Sequence, residues 1–86
     1  MHDEDNYRYI GNHGVVELKV HENILLGLLI KNKHKITTFE EIADTIYGYK
    51  VDKHLKININ LKISRLRKKL KREFKIFSKF NMGYYI

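Results

Sequence analysis

The sequence of 86 residues contains no cysteine and no proline. Without cysteine there can be no disulfide, no thiol nucleophile and no cysteine-ligated zinc or iron site. Without proline, and with only five scattered glycines, no stretch has the composition of a linker or of a low-complexity segment. A chain this short forms one hydrophobic core, and 43% apolar residues are too many for a disordered chain. We therefore expect one folded domain.

Long hydrophobic runs are also absent. The longest apolar stretch, residues 24–30, is far shorter than the roughly 20 residues that a membrane span requires. The first five residues, M-H-D-E-D, are acidic and unlike a signal peptide. We expect a protein of the cytoplasm with no membrane partner.

The chain offers little for catalysis or metal binding. Its five histidines, at positions 2, 13, 21, 34 and 54, have no paired helical spacing, so no metal and no cofactor are predicted. Glu40 and Glu41 are adjacent carboxylates, but adjacent side chains on a helix do not face each other. We find no catalytic constellation and expect neither an enzyme nor a small-molecule substrate.

Acidic residues are scarce in the second half of the chain. Residues 49–86 carry twelve basic side chains against two acidic ones, whereas residues 1–48 carry five against eight. Ten of the basic residues lie between Lys53 and Lys75, with Glu73 the only acid there. A local basic patch attracts polyanions by displacing their condensed counterions. A phosphate backbone is therefore the expected partner.

Local patterns predict strands and two helices before residue 50. Residues 15–18 follow a turn and are predicted as a strand that pairs with residues 7–10. Apolar residues recur at helical spacing from Val20 to about Asn32. A second helix begins at a capping-box pattern, T-F-E-E at residues 38–41, and ends at residues 47–48.

The segment from residue 54 to about residue 72 carries two competing periodicities. Its apolar residues alternate with polar ones at first, as in a strand. A second pattern, with steps of four, four, three and four residues, continues across the whole segment and favours one long helix. Its buried stripe is Leu55, Ile59, Ile63, Leu66 and Leu70. Residues 75–79 and 83–86 are β-rich and predict a closing hairpin.

This order of elements predicts an α+β fold, a winged helix-turn-helix. It has three helices, an N-terminal β-hairpin or small sheet, and a C-terminal β-hairpin wing. Residues 1–6 are predicted as an acidic tail and residues 7–86 as the winged-helix domain. In such a fold the last helix suits the major groove of DNA. Here that recognition helix is about residues 54–72, and the wing, residues 76–86, lies near the adjacent minor groove.

Two motifs then resemble a known family, the OmpR/PhoB-type effector domains of bacterial response regulators. Residues 63–70, I-S-R-L-R-K-K-L, resemble its I-x-R-L-R-K-K-L recognition-helix signature, and residues 83–86, G-Y-Y-I, resemble its closing strand. Leu18 with Glu22 and residues 41–48 are similar to its first two helices. The resemblance covers residues 14–86. It implies a stand-alone, sequence-specific regulator of transcription that binds double-stranded DNA.

The resemblance places a set of side chains against DNA, and their chemistry agrees. Asparagine pairs with adenine and arginine with guanine, and an outward leucine meets a thymine methyl or a ribose. Lysines hold phosphates and set the register. The predicted DNA-binding residues are Asn58, Asn60, Leu61, Lys62, Ser64, Arg65, Arg67, Lys68, Lys69, Lys79 and Asn81.

The resemblance also implies protein partners. The loop after the second helix approaches RNA polymerase in this family, which here predicts a contact through Tyr49, Lys50, Asp52 and Lys53. Tandem binding to direct repeats implies a head-to-tail dimer on DNA. No receiver domain is present in these residues, so the family's control by phosphorylation is not expected to operate through them.

The wing departs from the family pattern. Phe80 stands where a basic residue is usual. Either Lys79 makes the minor-groove contact instead, or the wing presents apolar surface there. The competing function is a protein-interaction module, such as an antirepressor, that docks a partner through Ile57 and Leu61. Double-stranded RNA is disfavoured because its deep, narrow major groove excludes a helix.

Overall fold

The computed structural model describes the whole chain, Met1–Ile86. Three helices and six short strands follow one another, with a 3₁₀ turn (Glu4–Asn6) after the first strand. The predicted winged helix-turn-helix is confirmed. In chain order the elements are β1 (His2–Asp3), β2 (Arg8–Gly11), β3 (Gly14–Glu17), α1 (Val20–Lys31), β4 (Thr37–Thr38), α2 (Phe39–Tyr47), α3 (Lys53–Leu70), β5 (Phe77–Lys79) and β6 (Gly83–Tyr85).

The N-terminal sheet is antiparallel in the order β1-β2-β3. Its β2–β3 hairpin is the predicted one, whereas β1 was not predicted. Residues 1–6, predicted as an acidic tail, lie against α1 in the structure. His2 Nε2 is 2.6 Å from Oδ1 of Asn23, whose Nδ2 donates to the carbonyl of Glu4 at 3.0 Å. A two-residue strand is too short to show an alternating pattern in the sequence.

The turn of the β2–β3 hairpin is fixed by a residue that follows α3. The carboxylate of Glu73 accepts hydrogen bonds from the backbone amides of Asn12 at 2.8 Å and His13 at 3.0 Å. It also lies 2.9 Å from Nδ1 of His13. Burial alone would raise the pKa of Glu73, but these hydrogen bonds hold it below its usual value. Glu73 thereby joins the N-terminal sheet to the segment that follows α3.

The three helices enclose the hydrophobic core, and the apolar stripe predicted on α3 is part of that core. Ile59, Ile63, Leu66 and Leu70 are fully buried against residues of α1 and α2. Burying one such side chain stabilises the fold by about 1.5–3 kcal/mol. Residue Leu55, at the start of the stripe, is only partly buried.

The wing is a three-stranded sheet in the order β4-β6-β5. The hairpin of β5 and β6 is the predicted one, and β4 was missed. At Gly83 the backbone of β6 comes so close to β4 that a Cβ atom there would overlap the carbonyl oxygen of Thr37. The wing is therefore closed onto the segment just before α2.

Helix α2 begins and ends close to its predicted limits. Thr38 Oγ1 accepts from the backbone amide of Glu41 at 3.1 Å, as a capping residue does. The carboxylate of Glu41 does not complete the predicted capping box, because it accepts from Nδ2 of Asn32 at 2.8 Å. Gly48 ends the helix in a left-handed conformation, with φ of 72°.

Candidate nucleic-acid interface

The side of α3 opposite the core is exposed along the whole helix. Ile57, Leu61, Ser64 and Lys68 follow one another along it, at steps of four, three and four residues. Ile57 is 52% exposed and Leu61 is 51% exposed. Asp52 starts the helix by accepting from the backbone amide of Leu55 at 2.8 Å. This outward line is available to a ligand.

The flank of α3 that faces α1 carries Asn58, Lys62, Arg65 and Lys69. Lys69 is already engaged within the chain, because its Nζ lies 2.6 Å from Oε1 of Glu22 and 3.1 Å from the carbonyl oxygen of Glu17. Burial acts to raise the pKa of Glu22. Its hydrogen bonds with Lys19 and Lys69 outweigh that effect and hold the pKa below the usual value. Lys69 thus neutralises a buried carboxylate.

A small basic cleft opens between this flank and the start of α1. It has a volume of about 220 Å³ and is lined by Lys19, His21, Lys62 and Arg65, among others. Burial, and secondly the charge of Lys62, lower the pKa of His21. Neither Lys62 nor Arg65 forms a hydrogen bond or ion pair within the chain. Both remain available to an anion.

The other flank of α3 holds the wing. Arg67 donates from Nε to the carbonyl of Ile76 at 2.9 Å and from Nη2 to Oγ of Ser78 at 2.6 Å. Its guanidinium carbon lies 5.4 Å from the centre of the Tyr84 ring. The hydroxyl of Tyr84 in turn donates to Oδ1 of Asn60. Arg67 and Asn60, both predicted to face DNA, are thus bonded to the wing in the structure.

Burial raises the pKa of the Tyr84 hydroxyl, and the charge of Arg67 opposes part of that rise. The hydroxyl is therefore protonated near neutral pH and can donate to Asn60. The ring itself packs edge-on against Phe39 of α2, with 5.6 Å between ring centres. Recognition helix, wing and α2 are fixed to one another at this point.

The tip of the wing projects away from the core. The amide of Met82 donates to the carbonyl of Lys79 at 3.0 Å, and Asn81 takes a left-handed conformation with φ of 56°. Lys79 and Asn81 are exposed, and Phe80 is 87% exposed. A cleft of about 260 Å³ between the tip and α3 is lined in part by Lys56.

The loop predicted to contact polymerase lies on the surface between α2 and α3. Tyr49 is 71% exposed, and Lys50 is exposed beside it. Asp52 has a structural role as the cap of α3. Lys53 is the exposed first residue of that helix.

Sequence reasoning missed three basic residues of this surface. Lys19 and His21 line the cleft beside Arg65, and Lys56 lies 5.5 Å over the ring of Phe39 at the wing cleft. The only sequence signal was the position of Lys56 one helical turn before Asn60.

No group of three or more His, Asp or Glu residues is placed to hold a metal ion. No helix combines the length and apolar character needed to cross a membrane.

A winged helix with a basic third helix is a class of nucleic-acid-binding domain. The family model described as "Transcriptional regulatory protein, C terminal" matches residues 12–86. The chain belongs to this family, whose members are non-enzymatic DNA-binding domains of OmpR/PhoB-type transcription regulators. A search of curated proteins found no match.

Solved structures of the same fold include two from bacterial regulators. One is the RstA DNA-binding domain of Klebsiella pneumoniae in complex with the RstA box, with a TM-score of 0.84 and 24% identity over 99% of this chain and 87% of that chain. Another is the DNA-binding domain of CssR from Bacillus subtilis, with a TM-score of 0.83 and 24% identity over 99% of this chain and 96% of that chain. These likenesses establish the fold.

Proposed function

We propose that the domain reads a specific sequence in double-stranded DNA, with α3 in the major groove and the wing tip at the adjacent minor groove. The observation that carries this proposal is the set of polar and basic side chains on the outer side of α3 that have no partner in the chain. Such a face binds phosphates by counterion release and base edges by hydrogen bonds. The set is Asn58, Lys62, Ser64, Arg65 and Lys68.

Individual roles follow from position and chemistry. Arg65 has the fork of donors that pairs bidentately with guanine, and Asn58 has the amide that pairs with adenine. Lys62 and Lys68 hold phosphates and fix the register. At the wing tip, Lys79 and Asn81 contact the minor groove.

Three of the four remaining predicted residues of α3 act indirectly in this proposal. Asn60 and Arg67 hold the wing at its angle to the helix. Lys69 neutralises Glu22 and fixes α3 to α1. Leu61, the fourth, contacts a base directly through its apolar side chain.

The test is selection of bound duplexes from a random library at near-physiological salt, with Arg65→Ala beside the wild type. The matched control is Arg72→Ala, because Arg72 is also exposed and also without a partner, but lies beyond the end of α3. We expect one selected motif for the wild type and the control. Arg65→Ala should lose preference at one base pair, a discrimination of about 1–3 kcal/mol.

A library without a motif, or equal base preferences in all three proteins, would overturn the proposal. DNA binding that varies with salt concentration but not with sequence would show that only electrostatic attraction operates. The protein-interaction function would then take its place.

A head-to-tail pair on direct repeats is part of the same proposal. The selected motif should then contain two half-sites about 10–10.5 base pairs apart in the same orientation. A single half-site, bound by one copy in a titration, would argue against the pair.

RNA polymerase is the proposed protein partner, and the cytoplasm is the proposed location. The exposed side chains of Tyr49 and Lys50 support this, since neither contributes to the core. Tyr49→Ala and Lys50→Glu should keep operator affinity and lower transcript yield in a reconstituted reaction with purified polymerase. Unchanged transcription would exclude the loop as the contact.

A further inference from the structure

Two apolar side chains occupy the outermost line of α3. Ile57 and Leu61 lie one helical turn apart, are about half exposed, and contribute little to the core. Neither side chain can form a hydrogen bond, and water around them is released when a ligand covers them. The other outward residues of α3 are polar. A ligand that matches this surface therefore has apolar groups set among polar ones.

The wing makes these two residues more prominent. Arg67 would otherwise direct its donors to the same surface, but its Nε and Nη2 donate to Ile76 and Ser78, and Oδ1 of Asn60 accepts from Tyr84. Asn58, Ser64 and Arg65 remain free on this surface beside Ile57 and Leu61. Apolar contact with a base can therefore add to the hydrogen bonds that this surface offers to base edges.

We propose that Ile57 and Leu61 read the methyl groups of two thymines in the operator. This inference rests on the proposed function and names the bases that it favours. The C5 methyl of thymine is the only apolar group that an unmodified base pair presents in the major groove. Four residues of helix span about 6 Å, which is nearly two base-pair steps of about 3.4 Å. The two thymines should therefore lie about two base-pair steps apart, on either strand.

The charges around the pair favour DNA over a protein as the occupant. Lys62, Arg65 and Lys68 follow Leu61 on the outer side of α3, and no acidic residue lies on that helix. DNA supplies both the phosphates that neutralise these cations and the methyl groups between them. The occupied surface is also continuous with the proposed base contacts of Asn58 and Arg65.

The test replaces single thymines of the selected operator with deoxyuridine, which removes the methyl and leaves every hydrogen-bonding group in place. For the wild-type domain, we expect about fourfold weaker binding at each of two positions, the equilibrium equivalent of one buried methyl group. Leu61→Ala should bind the thymine operator more weakly and show no loss at one of those positions. Ile57→Ala should lose the response at the other. Both side chains are half exposed, so the variants should fold, which circular dichroism checks.

Three outcomes separate this inference from the function on which it rests. A selected motif with no response to deoxyuridine in the wild type overturns the thymine contacts and leaves sequence reading intact. A response that persists unchanged in both alanine variants does the same. Wild-type DNA affinity in both variants would also overturn it and assign the pair to a protein contact. Absence of any selected motif is the failure of the proposed function itself.

Discussion

The guanidinium of Arg67 donates a hydrogen bond of 2.6 Å to the hydroxyl of Ser78, and so joins α3 to strand β5 of the wing. A second bond runs to the carbonyl of Ile76. Arg67 lies inside the I-x-R-L-R-K-K-L signature, two residues after Arg65. Neighbouring arginines of one motif therefore have different surroundings, one bonded to the fold and one free.

Replacing Arg67 with alanine should affect stability and affinity, but not base preference. Loss of its bonds on a partly exposed surface should lower the free energy of unfolding by about 1–2 kcal/mol. DNA affinity should fall evenly across sequences, because the wing loses its fixed angle. Denaturant unfolding and repeated library selection measure the two effects. Ser78→Ala, which removes one acceptor, should show a smaller loss. Relaxed preference at one base pair with unchanged stability would instead assign Arg67 to base reading.

The pair of Glu22 and Lys69 should make stability depend on pH. Removing one partner of a fully buried pair costs about 3–5 kcal/mol. Because Lys69 is one-third exposed, Lys69→Met should cost about 2 kcal/mol. The lowered pKa of Glu22 means that this stabilisation is present above about pH 4.5 and is lost as pH falls through the lower pKa of the folded state.

Unfolding curves between pH 7 and pH 3 test this linkage. Lys71→Met makes the same charge change at an exposed position after α3 and should retain the acid dependence of the wild type. Lys69→Met should lose part of it. Adding Glu22→Gln to Lys69→Met should recover stability, since no unpaired carboxylate remains. Identical pH profiles for the wild type and Lys69→Met would contradict the assignment.

Two glycines should respond to alanine in opposite ways. At Gly83 a Cβ would overlap the backbone of Thr37, so Gly83→Ala should force β4 and β6 apart and cost at least about 1–3 kcal/mol. At Gly27, within α1, the nearest atoms belong to the exposed side chain of Glu4, which can move. Gly27→Ala should be neutral or stabilising by up to about 1 kcal/mol. Thermal unfolding of both variants decides, and equal effects would count against the close approach at Gly83.

Restoring a cation at the wing tip should strengthen DNA binding. Phe80→Arg places a charge on a side chain of the wing tip that is 87% exposed, and should steepen the salt dependence by about one phosphate contact. Val15→Arg adds the same charge at an exposed position of the N-terminal sheet and should change the slope less. Equal slopes for the two variants would show that the tip does not approach DNA.

The helices and hairpins could be predicted because each has a periodic or local pattern in the sequence. The stripe of α3 extends over about four helical turns, so its periodicity outweighs the strand-like start near Leu55. The hairpins have turns and β-rich flanks. By contrast, β1 and β4 have two residues each and exist only because β2 and β6 pair with them. No local pattern encodes such strands.

The sequence predicted which residues lie on the outer side of α3, but not which of them are bonded to other parts of the fold. Helical spacing places Arg65 and Arg67 on opposite flanks of α3, yet it does not say which flank the wing will cover. That depends on how β5 and β6 return over the helix, which is a tertiary relationship. The same holds for Lys69, whose partner Glu22 is 47 residues away in sequence.

Glu73 contacts two residues of the β2–β3 turn that precede it by 61 and 60 positions in the sequence. This separation affects the order in which the parts of the domain fold. The hairpin itself is local and can form early. Its docking closes a long loop, which has an entropic cost, and the contact requires Glu73 to have been synthesised. We therefore expect the β2–β3 hairpin to dock only after α3 has been made.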